Sequence, residues 1–104
     1  MTSFKLLIVD DEPAILNGLR QMVEEAQTVF NDIAATVDSS EALNLVTSFA
    51  PDLVITDIQM PEIDGLEFIR QAQDLVETRF VILTGYDHFE YARQALRLHV
   101  RTMS

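Results

Sequence analysis

Three short apolar runs constrain the fold of this chain more than any other feature. They are Leu6-Leu7-Ile8-Val9, Leu53-Val54-Ile55-Thr56 and Phe80-Val81-Ile82-Leu83. The segments between them carry apolar residues at helical spacing. Short apolar runs that alternate with amphipathic helices are typical of parallel strands buried on both faces of a sheet. The sequence therefore predicts an α/β fold with right-handed crossovers and helices on both faces of the sheet.

Helix start signals lie where this alternation needs them. Pro13 suits a first helical turn, where a missing N–H costs little. Asp38 followed by Glu41 resembles a capping box, and Gly65 opens a further apolar stripe that includes Leu75. A weaker second strand is expected over 33–37, and a fourth helix is expected after the third apolar run. The proline at position 51 predicts the end of the second helix, since a residue before proline avoids the helical region.

Polar side chains follow the apolar runs directly. Asp10 and Asp11 come after the first run, Asp57 ends the second, and Thr84 ends the third. The carboxyl ends of strands in an open parallel sheet line the ligand crevice, so these side chains should meet at one edge. Carboxylates that lie so close together repel one another and favour a divalent cation, and their hard oxygen atoms favour Mg2+.

Composition excludes several classes of function. The chain has 104 residues, which suits one domain, and 7 Lys+Arg against 17 Asp+Glu give a net charge of -10. So acidic a domain is poorly suited to bind nucleic acid by itself. The absence of cysteine excludes disulfides, zinc–thiolate sites and thiol nucleophiles, and it agrees with a cytoplasmic protein. No apolar stretch approaches the roughly 18–20 residues of a membrane span, and no signal-peptide layout is visible.

The motifs together resemble the receiver domain of two-component response regulators, the CheY-like family. The resemblance covers roughly residues 4 to 98 and rests on three segments in order. These are Asp10-Asp11, Asp57-Ile58-Gln59-Met60-Pro61-Glu62-Ile63-Asp64-Gly65 and Thr84-Gly85. The segment Gly85-Tyr86-Asp87-His88-Phe89-Glu90-Tyr91-Ala92 is further similar to receivers joined to AraC-type DNA-binding domains. The resemblance implies a doubly wound parallel sheet with strand order 2-1-3-4, followed in the family by a fifth strand.

The resemblance also implies a phosphoryl-transfer role. Asp57 would accept a phosphoryl group from a partner histidine kinase as an acyl phosphate. Asp11 and Asp57 would ligate Mg2+ directly, Asp10 would act mainly through water, and the backbone carbonyl of Gln59 would complete the protein ligands. The domain would switch an output, expected to be transcriptional regulation by a DNA-binding domain outside this chain, and would not be a turnover enzyme.

Further residues receive roles from the same resemblance. Thr84 would donate a hydrogen bond to the phosphoryl oxygens, and the Gly85 backbone N–H would assist. Gln59 and Tyr86 flank the site at positions that tune how long the phosphoryl group lasts. Asp64 with Gly65 is expected to begin a helix and is assigned no catalytic role.

The C-terminal part departs from the family pattern. Receivers continue into a fifth strand that ends in Lys-Pro and then a fifth helix, whereas this chain runs Leu-His-Val-Arg-Thr-Met-Ser over 98–104. Lys5 is the only lysine and lies at the wrong end of the first strand, so no switch lysine is predicted. We therefore expect residues 1–104 to be a C-terminally truncated receiver, and a fragment of a longer regulator in preference to a natural short protein. An exposed fourth-strand edge would favour self-association.

Two other classes of function remain open. The missing lysine gives weight to the alternative of a receiver-like interaction module that is never phosphorylated and acts by binding alone. A Mg2+-dependent phosphohydrolase with an aspartate nucleophile is less favoured. Those enzymes place a second acid two residues after the nucleophile at the end of the first strand, whereas here Asp10 and Asp11 are adjacent and followed by Glu12.

Overall fold

The computed structural model describes residues 4–26, 29–57, 60 and 62–83. Within these ranges four strands alternate with three helices. In chain order the elements are β1 Phe4–Val9, α1 Pro13–Glu25, β2 Phe30–Thr36, α2 Ser39–Ser48, β3 Leu53–Asp57, α3 Gly65–Gln73 and β4 Arg79–Leu83. The expected fourth helix lies outside the described residues. The chain beyond β4 lies outside them too, so the truncation, the missing fifth strand and the exposed β4 edge stay predictions.

The four strands form one parallel sheet in the order β2-β1-β3-β4, which confirms the predicted order. The register aligns the carboxyl ends of the strands, because Val9 at the end of β1 pairs with both Thr36 of β2 and Thr56 of β3. At the other side of β3, Asp57 pairs with Leu83 of β4. Residues that follow these strands therefore start from the same edge of the sheet.

Each face of the sheet carries its own apolar core. On one face, α1 packs Leu16, Leu19 and Val23 against Leu6 and Ile8 of β1. On the other face, α2 and α3 pack against alternate residues of the same strands, a cluster made of Leu7, Val9, Ala42, Val46, Val54, Phe68, Ala72 and Phe80. Successive side chains of a strand point to opposite faces, so strands with helices on both sides need continuous apolar runs. The three runs in the sequence reflect this requirement.

Two details of the sequence prediction are wrong. Leu75 was expected on the apolar face of α3 but is 53% exposed, because α3 ends at Gln73 and Leu75 lies in the following turn. The second strand spans 30–36 instead of 33–37, and Val37 is 45% exposed. Pairing with β1 sets this strand's bounds, since Thr36 is the partner of the last residue of β1.

The amino ends of the strands form an edge of their own around Lys5. The Lys5 ammonium donates to the Phe49 carbonyl at 3.2 Å and lies 5.4 Å from the centroid of the Phe49 ring. The Lys5 backbone N–H donates to the Asp52 carboxylate at 2.8 Å. A cation at the end of α2 satisfies a terminal carbonyl and interacts favourably with the helix dipole. Lys5 thus stabilises the edge of the sheet opposite to Asp10.

The turn after α2 holds a residue in the left-handed region. Ala50 has φ 52, although alanine carries a Cβ that disfavours this conformation. Pro51 was expected to end α2, because a residue before proline avoids the right-handed helical region. Ala50 avoids that region by adopting the left-handed conformation. Glycine is the residue that normally occupies such a position after a helix.

None of the three described helices is long and apolar enough to cross a lipid bilayer.

We predict that Ala50→Gly stabilises the domain by roughly 0.5–1 kcal/mol, because glycine adopts positive φ without the Cβ clash. The greater conformational entropy of glycine in the unfolded chain offsets part of this stabilisation. Urea unfolding measures the change. The matched control is Ala42→Gly in the interior of α2, which should destabilise the domain by at least about 1 kcal/mol. Equal destabilisation by both substitutions would contradict the left-handed conformation of Ala50.

Candidate functional site

Three carboxylates converge at the carboxyl edge of the sheet. Asp10 and Asp11 follow β1, and Asp57 is the last residue of β3. One carboxylate oxygen from each of the three residues lies within 4.8 Å of those of the other two. The parallel register of β1 and β3 produces this arrangement, because it places the chain ends of both strands side by side. The predicted convergence is therefore present for the three carboxylates, while Thr84 lies outside the described residues.

The three residues differ in burial. Asp10 is 1% exposed, while Asp11 and Asp57 are half-buried. The Asp10 carboxylate accepts a hydrogen bond from the Glu12 backbone N–H at 2.9 Å, and the Asp10 backbone N–H donates to the Thr36 carbonyl at 3.2 Å. Local turn geometry and β2 together hold Asp10 in place. The site thus has one fixed, buried carboxylate and two that are partly exposed to solvent. Glu12 itself is exposed.

This arrangement is suited to a metal ion. Carboxylates held this close repel one another, and a cation relieves the repulsion. All three contribute hard oxygen atoms, which favour hard divalent cations over softer metals. The three carboxylates therefore fit a hard divalent cation bound between the ends of β1 and β3.

A buried threonine holds the end of β3 in place. Thr56 is 0% exposed, and its hydroxyl donates to the Asp57 backbone carbonyl at 3.0 Å. The same hydroxyl lies 4.0 Å from the Met60 sulfur, and Met60 packs against the core cluster on the α2–α3 face. The backbone that carries Asp57 is therefore tied to the core cluster on the α2–α3 face.

The chain after Asp57 contains two anchoring residues. Asp64 caps α3 by accepting a hydrogen bond from the Glu67 N–H at 2.8 Å, which confirms that Asp64 and Gly65 begin a helix. Glu62 has a φ of 72 and accepts a hydrogen bond from the Ser40 hydroxyl at 3.2 Å. Sequence reasoning missed the contact between Ser40 and Glu62. No local pattern signals it, since it joins two segments that are distant in the chain.

The first turn of α2 lies beside this site. Asp38 caps the helix by accepting from the N–H groups of Ser40 at 2.8 Å and Glu41 at 3.3 Å. The predicted Asp38 cap is confirmed. In a capping box the Glu41 side chain would also contact the Asp38 N–H directly, but here Thr36 lies between them. Glu41 accepts from the Thr36 hydroxyl, and that hydroxyl accepts from the Asp38 N–H at 3.1 Å. Thr36 thus connects the two groups that a capping box would join directly.

Four of the predicted site residues lie outside the described residues. They are Gln59, Thr84, Gly85 and Tyr86. Leu83, the residue before Thr84 in the sequence, pairs with Asp57 in the sheet.

Glu67 in the first turn of α3 has a strongly displaced pKa. Hydrogen bonds from Arg70, and then from Gln71 at 2.8 Å, lower the pKa of the Glu67 carboxyl from 4.5 to about 2. The same pair raises the pKa of the Arg70 guanidinium. A carboxylate near a helix N-terminus also interacts favourably with the helix dipole. These contacts favour the ionised form of Glu67 and stabilise the helix that follows Asp64.

The chain belongs to the response regulator receiver domain family, whose model matches residues 6–103. The geometry described above agrees with this membership in fold, strand order and the position of the acidic cluster.

Relatives of known name are similar to nearly the whole chain. An uncharacterized response regulatory protein of Staphylococcus epidermidis is 40% identical over 97 residues, which cover 93% of this chain and 38% of that protein. The transcriptional regulatory protein HptR of Staphylococcus aureus is 39% identical with the same coverage. The chain therefore spans 38% of the length of the curated relatives it matches.

Solved structures agree with the architecture. A two-component transcriptional regulator AraC from Clostridium phytofermentans is 27% identical, with a TM-score of 0.75 over 98% of this chain and 79% of that chain. A LuxR-family two-component response regulator from Aurantimonas is 23% identical, with a TM-score of 0.77 over 99% of this chain and 91% of that chain. The second likeness concerns the fold alone.

We predict that Asp11→Asn weakens Mg2+ binding by roughly tenfold or more, because even residues that support metal ligands typically contribute 10–100-fold to affinity. Isothermal titration calorimetry measures the dissociation constant. Asp32→Asn is the matched control, since Asp32 is exposed on β2 and undergoes the same change of charge. A similar loss of affinity in both variants would mean that overall charge, and not the acidic cluster, attracts the ion.

We also predict a pH-dependent contribution from Glu67. Because its folded-state pKa lies below the unfolded value, the contact with Arg70 stabilises the domain above pH 4.5 and is lost as pH falls toward about 2. Arg70→Met removes the donor. Urea unfolding from about pH 5 to about pH 2 should show the wild type more stable at the upper end and equal to the variant at the lower end. A difference that is constant across this range would contradict the prediction.

Proposed function

We propose that this domain receives a phosphoryl group on Asp57 in a Mg2+-dependent reaction and thereby switches an output. The observation that carries the proposal is the meeting of Asp10, Asp11 and Asp57 at the carboxyl edge of the sheet in a member of the receiver family. Asp57 is half-buried, like Asp11, and lies at the end of β3, where a donor molecule can approach its carboxylate.

The chemistry uses Asp57 as a nucleophile. A carboxylate oxygen of Asp57 attacks the phosphorus of a phosphohistidine on the partner kinase, a new O–P bond forms, and the P–N bond breaks. The imidazole leaves with the bonding electron pair, and the product is an acyl phosphate on Asp57. When bound, Mg2+ neutralises charge on the phosphoryl oxygens. Asp11 and Asp57 hold the ion directly, and Asp10 acts mainly through water from its fixed, buried position.

The remaining roles come from the family resemblance. The Gln59 backbone carbonyl completes the metal ligands, and the Thr84 hydroxyl donates to the phosphoryl oxygens with help from the Gly85 N–H. Gln59 and Tyr86 set the lifetime of the acyl phosphate. Support comes from the pairing of Leu83 with Asp57, because Thr84 follows Leu83 directly in the sequence. A phosphoryl group adds negative charge and three acceptor oxygens, which can draw such a hydroxyl toward the site.

The output is a proposal about the whole protein. HptR is named a transcriptional regulatory protein, and the Clostridium structure is named a two-component transcriptional regulator AraC. We propose that this receiver likewise controls transcription, with a histidine kinase as its phosphoryl donor and a DNA-binding part outside this chain as its output. The net charge of -10 argues that the receiver itself does not contact DNA. The domain acts in the cytoplasm as a switch and not as a turnover enzyme.

We predict that Asp57→Asn abolishes labelling by acetyl phosphate, because an amide lacks the nucleophilic carboxylate. Intact-mass measurement after incubation with acetyl phosphate and Mg2+ detects the acyl phosphate, and EDTA should prevent labelling of the wild type. Asp32→Asn is the matched control and should be labelled normally. Labelling of Asp57→Asn at the wild-type rate would remove Asp57 from this role.

If the wild type is not labelled but binds beryllofluoride in the presence of Mg2+, the site can bind a phosphoryl-like group but does not react with acetyl phosphate. A wild type that does neither would instead be a receiver-like module that acts by binding alone. Turnover of p-nitrophenyl phosphate would show a phosphohydrolase.

A further inference from the structure

A hydrogen-bonded segment joins the two sides of the acidic site. We call it the α2 bridge, made of Thr36, Asp38, Ser40 and Glu41. At one end, the Thr36 carbonyl accepts from the Asp10 N–H at 3.2 Å. At the other end, the Ser40 hydroxyl donates to the Glu62 carboxylate at 3.2 Å. The bridge thus connects the end of β1 with Glu62, which follows Asp57 in the sequence.

The interior of the α2 bridge is closely held. Thr36 is 4% exposed, and its hydroxyl both donates to Glu41 and accepts from the Asp38 N–H at 3.1 Å. Asp38 in turn accepts from the Ser40 N–H at 2.8 Å. Buried hydroxyls that use both their donor and their acceptor capacity restrict local motion. A displacement at Ser40 would therefore disturb contacts that reach back to Asp10.

Glu62 at the far end is in an unfavourable backbone conformation. Its φ of 72 lies in the left-handed region, which few residues with a Cβ occupy. Such residues persist where the surroundings hold them, and they cluster at functional sites. The contact from Ser40 is one such restraint on Glu62. Glu62 lies between Asp57 and α3 in the sequence, so the restraint acts near the end of β3 along the chain.

We infer that Ser40 and Glu62 are positioning residues of the phosphoacceptor site. Their hydrogen bond, supported by the α2 bridge, fixes Glu62 relative to Asp10, so that the metal-binding groups are ordered before an ion arrives. A site ordered in advance loses less conformational entropy on binding and binds more tightly. This inference rests on the proposed function, because it concerns the same metal-dependent site. Neither residue belongs to the acidic cluster, so both act through the backbone.

The test compares two serine variants on the same helix. Ser40→Ala should weaken Mg2+ binding and slow acetyl phosphate labelling, each by about threefold, since an exposed hydrogen bond contributes a few-fold to an equilibrium constant. Ser48→Ala is the matched control, because the Ser48 hydroxyl donates to the Asn44 carbonyl within α2 at 3.0 Å. Its Mg2+ dissociation constant should equal that of the wild type. Ser40→Thr, which restores a hydroxyl, should recover most of the affinity.

A double-mutant cycle separates the contact from the charge of Glu62. Glu62→Ala removes the acceptor, whereas Glu62→Gln removes the charge and keeps an oxygen that can accept from Ser40. We expect Ser40→Ala combined with Glu62→Ala to bind Mg2+ no more weakly than Glu62→Ala alone, because both changes break one interaction. Urea unfolding of each variant shows that the domain remains folded.

The outcomes distinguish this inference from the function on which it depends. If Ser40→Ala binds Mg2+ and is labelled like the wild type, the positioning role is overturned while Asp57 remains the phosphoacceptor. If the effects of Ser40→Ala and Glu62→Ala are additive, the hydrogen bond between them is not the cause, and the inference also fails. If the wild type neither binds Mg2+ nor becomes labelled, both the inference and the proposed function fall together.

Discussion

Electrostatic repulsion among Asp10, Asp11 and Asp57 is the constraint around which this domain is organised. Like charges at such separations disfavour one another, and Asp10 is almost entirely removed from solvent. The three side chains remain together because apolar packing on both faces of β1 and β3 sets the positions of the strand ends. The apolar packing of the core therefore offsets the electrostatic repulsion at the site. A cation would relieve this repulsion, which couples metal binding to the stability of the fold.

The two edges of the sheet have different tasks. At the amino edge, Lys5 contacts the end of α2 and Asp52, so the single lysine of the chain stabilises the fold. At the carboxyl edge, Asp10 and the first turn of α2 meet through Thr36. Helix α2 is thus held by a cation at its end and by acceptor oxygens at its beginning, which is the arrangement its dipole favours. The same helix extends from the stabilising edge to the edge that carries the acidic site.

The sequence predicted most of the architecture because the relevant signals are strong and local. Continuous apolar runs identified β1, β3 and β4, and the alternation with amphipathic segments predicted a parallel sheet. Family resemblance then supplied the strand order. The errors fall where local pattern competes with tertiary context. Leu75 continues an apolar stripe in the sequence, but its helix ends two residues earlier, and the bounds of β2 follow from pairing with β1.

What the chain alone determined is the set of acids at the strand ends, and hence the chemistry that the site can perform. Residue type and position after an apolar run suffice for that inference, since parallel strands present their carboxyl ends at a common edge. Only the tertiary structure decided how this edge is held together. The contact of Ser40 with Glu62 and the placement of Thr36 between Asp38 and Glu41 depend on how α2 packs beside two strands. The first contact joins residues 22 positions apart in the chain, and the second replaces a direct contact that the capping-box pattern predicts, so no local periodicity encodes either.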